Sequence, residues 1–419
     1  MSHSQPSYSV PPATAMTSVD DALDQLLQDV KIVGDVESVD LVDARGRVLA
    51  EAQTAAVDVP PDDNSSMDGY AVRCVEVGVG KTALPVSQRI VAGSVGDPLK
   101  PGTAARIFTG APIPKGADAV VMQEQCEVDG SNVDISRESP LSTGNNIRLA
   151  GEDIRQGDEI LSIGTRLRAQ DIGLAASVGL QKLPVFRRLR VAILSTGDEL
   201  ASPGDELKPG QKYNSNRFTL NGLLVDMGCE VIDLGVIDDT LEATRDALFK
   251  AADNADLIIS SGGVSVGEED YVRTAVEELG KIELWKIAIK PGKPLAYGKV
   301  GYTAFMGLPG NPVSTFVTFI LVARPYLLKK QGATKVFHQS WKVRVGCDLS
   351  NSGSRQEYLR ARLSAEEKGE ATAEVYPNQS SGVLASVSWA DGLLVVPIKT
   401  AVKSGDFLEY IPFSELLGG

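Results

Sequence analysis

The chain has 419 residues, of which 43% are hydrophobic, 23% charged and 5% aromatic, a composition of folded globular proteins rather than disordered ones. At about 150 residues per domain, that length makes two to four domains. With 41 basic against 55 acidic residues the net charge is −14, which argues against a general nucleic-acid binder, and the only two histidines, His3 and His338, exclude a His-based triad or a histidine metal cluster.

Chemistry is therefore left to carboxylates, hydroxyls, lysines and backbone amides. Cys74, Cys126, Cys229 and Cys347 have neither zinc spacing nor the pattern of a disulfide framework, and read as reduced, buried thiols. Met1–Ala15 is Ser/Pro-rich without an apolar core, so residues 1–16 read as a flexible tail and not as a signal peptide or anchor. The longest apolar run, Val313–Ala323, is broken by Ser314, Thr315 and Thr318 and falls short of the roughly 20 residues that span a bilayer. A soluble, cytoplasmic protein without membrane or nucleic-acid partners is expected.

In chain order, Ser18 with Asp21 three residues on predicts an N-cap, and Val19, Ala22, Leu23, Leu26, Leu27 and Val30 make one face of an amphipathic helix. Residues 57–147 alternate short apolar runs with Pro/Gly turns and predict a β-rich insertion. Residues 17–56 and 148–183 then form one discontinuous mixed domain, in which the segment Arg148–Lys182, helix-permissive over Ala169–Val178, packs back on the first helix. Within 184–331, strands at Arg190–Leu194, Glu230–Leu234, Asp256–Ser260, Trp285–Ile289 and Thr303–Met306 alternate with helices at Arg217–Met227, Leu241–Ala252 and Tyr271–Leu279. A last helix runs from Pro312 to about Lys329. This spacing predicts a doubly wound α/β domain with a parallel sheet and helices on both faces. Residues 332–419 return to short strands and predict a small C-terminal β-barrel.

Ligands of such a sheet sit outside the carboxyl ends of its strands, and the loops there are unusual. Ser260-Ser-Gly-Gly-Val-Ser-Val-Gly267 suits close backbone approach to an anion, although a tight turn explains it equally well. In Gly307-Leu-Pro-Gly-Asn-Pro-Val-Ser314, Asn311 as N-cap and Pro312 at the first helical position direct free amides at the loop, with simple capping as the alternative. Lys286 and Lys290, four apart on a strand, face one way, with Lys293 in the following turn; solvated charges are the alternative. The acidic residues Asp198, Glu199, Asp238, Asp239, Glu268, Glu269 and Asp270 gather at the same edge, where hard oxygen ligands without His or Cys point to Mg²⁺ shared with phosphate-like oxygens. Asp239 with Glu242 reads as a capping box, which leaves Asp238 the better functional candidate.

Six stretches occur in one order: Asp63-Asn-Ser-Ser-Met-Asp-Gly-Tyr-Ala71, Thr109-Gly-Ala-Pro-Ile-Pro-Lys-Gly-Ala-Asp118, Ser195-Thr-Gly-Asp-Glu-Leu200, Ser261-Gly-Gly-Val-Ser-Val-Gly267, Lys290-Pro-Gly-Lys-Pro294 and Leu308-Pro-Gly-Asn-Pro-Val-Ser314. Together they resemble the molybdopterin molybdenumtransferases, the family of MoeA and the gephyrin E domain, over roughly residues 17–415. Asn378-Gln-Ser-Ser-Gly382 resembles a looser family motif. The resemblance implies an L-shaped homodimer of four-domain chains with a MogA-like, molybdopterin-binding central domain. It implies a Mg²⁺-dependent transferase that inserts molybdate into adenylated molybdopterin and releases AMP, in contact with molybdopterin adenylyltransferase and other cofactor-biosynthesis proteins. On it, Asp63, Thr109, Glu199, Asp238 and Asp270 are the candidate catalytic residues, with Glu199, Asp238 and Asp270 on the metal. Ser195, Gly197, Gly262, Gly263, Ser265, Lys286, Lys290, Lys293, Pro309, Asn311, Pro312 and Ser314 are the candidates for holding substrate. Asp63 and Thr109 lie on another domain and would reach the partner subunit's site. Rival readings are an adenylyltransferase and a scaffold that has lost catalysis.

Overall fold

The computed structural model describes residues 16–263, 271–365 and 371–417. The first helix, Val19–Gln28, starts where Ser18 Oγ accepts the Asp21 amide at 3.0 Å. Its apolar face does not pack on Ala169–Ser177 as expected. It docks on the helix Arg324–Lys330, where Lys329 Nζ donates to the Leu27 carbonyl at 2.7 Å and the Val33 amide to Lys330 at 2.9 Å. A ten-residue helix with one apolar stripe is held by the largest apolar surface within reach, here the central core. The chain ends flanking the insertion close by antiparallel pairing of Val36–Asp40 with Lys182–Phe186 and of Gln53–Thr54 with Glu159–Leu161.

The insertion is a six-stranded sheet in the order Ala119–Met122, Gly69–Val72, Ala104–Ile107, Gly80–Ile90, Asn132–Arg137, Cys126–Asp129. The polar stretch Asp62–Asp68 ends where the strand Gly69–Val72 is buried within the sheet. Gly69 is required there, since a Cβ would lie 1.9 Å from the Val121 carbonyl oxygen.

The central sheet runs Glu230–Ile237, Arg190–Thr196, Leu257–Ser261, Thr303–Leu308, Pro294–Val300, Gly280–Lys286. The first four are parallel, but Pro294–Val300 is antiparallel to both neighbours, so the sheet is mixed rather than wholly parallel. Only Gly301 and Tyr302 join Pro294–Val300 to Thr303–Leu308, and a connection that short makes a hairpin, never a crossover. Helices cover both faces as expected. Val191, Ile193, Leu257 and Ile259 point into one core with Leu220 and Leu224, while Ala192, Leu194 and Ile258 point into the other with Leu248, Val272 and Val276. The expected strand Trp285–Ile289 does not form as one piece. The sheet strand ends at Lys286, and Ile289–Lys290 pairs instead with Gln356–Ala365 of the C-terminal domain. The last helix is continuous only through a π-turn at Phe319–Ala323, just before Pro325, which supplies no amide to a ladder.

Five strands close the C-terminal barrel: Gln356–Ala365, Ala371–Val375, Trp341–Val345, Phe407–Pro412 and Gly392–Val396, which returns to Gln356–Ala365. Closure leaves no long edge to protect. All four cysteines are free thiols; Cys229 is buried as expected, but Cys347 is exposed at the end of a barrel strand and Cys74 and Cys126 are half-buried.

Candidate functional site

Three strand ends converge at the carboxyl edge of the central sheet. Ser195 and Ser261, on adjacent strands, are buried with their hydroxyl oxygens 3.1 Å apart. The Gly262 amide donates to the Leu308 carbonyl at 3.0 Å, and a Cβ on Gly310 would lie 3.6 Å from Gly262 Cα. Gly262 and Gly263 take φ of +94° and +67°, and a Cβ on Gly263 would reach 2.4 Å from Val272 Cγ2. Two loops thus meet backbone to backbone because neither carries a side chain at the contact. Gly197, at φ +135°, makes room for the Glu199 carboxylate. Thr315 Oγ1 donates to the Pro309 carbonyl at 2.6 Å and braces the third loop from below.

Several expectations are corrected here. Asn311 precedes the helix Pro312–Thr318, but its side chain makes no cap hydrogen bond. The Val313 amide donates to Ser381 at 3.0 Å, so the helix start is partly closed by the barrel's Asn378–Gly382 loop, and Ser314 is buried. Lys286 and Lys290 do not share a strand face. Lys290 reaches Glu357 on the barrel at 2.9 Å, whereas Lys286 and Lys293 stay at the sheet edge, where the Ile287 amide donates to the Lys293 carbonyl at 2.9 Å. Thr240, not Asp239, caps the helix Leu241–Ala252, accepting the Ala243 amide at 3.2 Å. Asp238 is left exposed at the end of its strand. Glu199, also exposed, lies 3.4 Å from Lys212. Asp270 and Ser265 fall outside the described residues.

Among the described residues no group of three acidic, His or Cys side chains is arranged to hold a metal ion. Glu199 and Asp238 alone do not make a Mg²⁺ site, because hard cations want more oxygen ligands than these supply.

The insertion domain carries a second polar cluster. Asp63 Oδ1 accepts the Ala150 amide at 2.8 Å, and the Asp63 carbonyl accepts the Ile113 amide at 2.9 Å. Asp68 Oδ1 accepts both the amide and the hydroxyl of Thr109, at 2.8 and 2.7 Å. These hydrogen bonds, chiefly the one from the Thr109 amide, hold the Asp68 carboxyl below its ordinary range. Among the described residues no hydrogen bond or salt bridge joins residues 60–150 to residues 184–417, so within one chain Asp63 and Thr109 are not tied to Glu199 and Asp238.

Two features went unnoticed in the sequence. Asn216 Nδ2 donates to the Gly310 carbonyl at 2.8 Å, and Asn214, almost wholly buried, has an Nδ2 without a partner. Their signal was Tyr213-Asn-Ser-Asn-Arg217, which spans the start of the helix Ser215–Asp226. Arg148 also joins the Asp63 cluster, opposite Asn64 in a two-residue antiparallel pairing.

The chain matches the MoeA N-terminal region (domain I and II) over residues 17–179, a "Probable molybdopterin binding domain" over 192–329 and the MoeA C-terminal region (domain IV) over 342–413. It is 37% identical to a molybdopterin molybdenumtransferase of Haemophilus influenzae, over 96% of this chain and 100% of that protein. It is 32% identical to gephyrin of Dictyostelium discoideum, over 92% of this chain and 60% of that protein. The crystal structure of the molybdopterin biosynthesis moeA protein from Pyrococcus horikoshii superposes with a TM-score of 0.82 at 30% identity, covering 95% of this chain and 100% of that one. A multidomain α/β protein with a sheet-edge glycine cradle and a C-terminal barrel is the class these features define. The chain belongs to the molybdopterin molybdenumtransferase family. Among the described residues no helix is long and apolar enough to cross a membrane.

Proposed function

We propose that this chain is a molybdopterin molybdenumtransferase of molybdenum cofactor biosynthesis, inserting molybdate into adenylated molybdopterin with release of AMP. The observation that carries the reading is the glycine-enforced meeting of the Ser261–Gly263 and Leu308–Gly310 loops beside Ser195, with Glu199 and Asp238 on neighbouring strand ends. In the reaction, one oxo ligand of molybdate leaves as water while the two pterin sulfurs bind the metal. A second water opens the phosphoanhydride and frees AMP. Backbone amides of the cradle, with Lys286 and Lys293 at its rim, supply fixed positive charge to tetrahedral oxyanions. Asp238 or Glu199 would accept the proton of the attacking water.

Asp63 and Thr109 are assigned to the same reaction across a homodimer interface, since among the described residues no hydrogen bond or salt bridge ties them to Glu199 and Asp238 of their own chain. Mg²⁺ dependence rests on the all-oxygen donor set and on Asp270 as the further ligand. Cytoplasmic location and receipt of the pterin from molybdopterin adenylyltransferase complete the proposal. The test is to supply purified protein with adenylated molybdopterin and molybdate, and to follow AMP release and protein-bound molybdenum with and without EDTA. AMP release at the molybdate-free rate would overturn the function, and release unchanged by EDTA would remove the magnesium.

A further inference from the structure

The insertion sheet carries a charge arrangement that folding alone does not call for. Arg89, on Gly80–Ile90, and Arg106, on Ala104–Ile107, are direct register partners on adjacent parallel strands. Like charges set opposite one another destabilise a sheet. Both guanidiniums share one ring, with Arg89 Cζ 4.5 Å and Arg106 Cζ 4.6 Å from the Phe108 centroid, and Arg106 also lies 5.2 Å from that of Tyr70. Arg106 donates to the Gly69 carbonyl and to Gln123, and Arg89 donates to nothing described. Among the described residues no carboxylate is hydrogen-bonded to either arginine, in a chain with 55 acidic residues. Asp68, whose charge Arg106 does feel, commits an oxygen to the amide and hydroxyl of Thr109.

Ring faces attract exposed cations only weakly, and they leave most guanidinium donors unused. A phosphoryl group satisfies both guanidiniums at once, since its oxygens match the fork that each presents. Phe108 adjoins Thr109 in sequence, which places the pair at the polar cluster already assigned to the reaction.

We infer that Arg89 and Arg106, spaced by the Phe108 ring, grip a phosphoryl group of the nucleotide-bearing substrate from the insertion domain. This rests on the proposed function and adds a substrate contact to it. Arg89 is the residue to change, because Arg106 also bonds its own sheet. In full-length Arg89→Gln protein, KM for adenylated molybdopterin is expected to rise about tenfold while KM for molybdate is unchanged, with Arg89→Lys recovering part of the loss. AMP binding by equilibrium dialysis locates the contact. AMP weakened about tenfold assigns the nucleotide phosphate, and unchanged AMP affinity with a raised KM assigns the pterin phosphate; both support the grip. If AMP affinity and KM for the adenylated pterin both match wild type, or if both KM values rise together, the inference is wrong although the proposed function stands. If the wild-type protein releases no AMP, the function fails and takes this contact with it.

Discussion

The insertion domain and the central domain solve the same problem, holding polar groups ready for charged substrate, by different means. At the polar cluster of the insertion domain the carboxylates of Asp63 and Asp68 are anchored by backbone amides from distant segments: Asp63 by Ala150, Asp68 by Thr109. At the central edge the carboxylates of Glu199 and Asp238 are exposed, and what is rigid is bare backbone, Gly262 against Leu308 and Gly310. Anchored side chains lose little entropy when substrate arrives, whereas bare backbone gains its precision from what cannot be added to it. The two regions should therefore fail differently, one through lost chemistry and the other through lost shape.

The largest effect is expected from breaking both regions in separate chains. Asp63→Ala and Asp238→Ala should each lower AMP release by roughly 100-fold or more. Mixed one to one, they should regain about a quarter of wild-type activity if each site draws on two subunits, since half the dimers carry one intact site. No recovery in mixed dimers would show the sites to be independent. Next, Gly263→Ala forces a Cβ onto Val272 at a positive φ and should cost roughly 1–3 kcal/mol, with activity falling alongside stability in urea. Thr315→Val removes the donor to the Pro309 carbonyl inside a buried helix start and should cost about 1–3 kcal/mol. Its activity loss should appear in KM for molybdate if that loop seats the oxyanion.

The smallest effect sharpens the anchored side. Asp68 has a folded pKa below its ordinary 3.8, so the stability it contributes is fully present above that value and is lost as pH falls through the folded one. Asp68→Asn should therefore be less stable than wild type at pH 7, with the difference closing only in strong acid. Denaturation midpoints compared between pH 7 and pH 2 check this, and a gap that persists in acid would assign the loss to geometry instead of charge.

Much of this was legible before any coordinates. The Ser18 cap, the buried strands within Arg190–Leu194 and Asp256–Ser260, the helices behind them and the C-terminal barrel all follow from local propensity and period. The close backbone approach of the glycine-serine loops was legible because so many glycines are seldom placed together at a strand end. Failures came where one segment answers to two neighbours. Lys286 and Lys290 looked like one strand face, but the chain leaves the sheet between them to pair with the barrel. Asn311 looked like a free helix start, but Ser381, seventy residues on, takes the Val313 amide.

Local composition determined by itself most of the strands and helices and which loops are bare enough for backbone to meet backbone, because steric and solvation preferences act over a few residues. Only the tertiary structure decided which loops meet, that Asn216 holds Gly310, that the first helix serves the central core, and that two arginines share Phe108. Those outcomes depend on distances between segments far apart in the chain, which no short-range preference encodes.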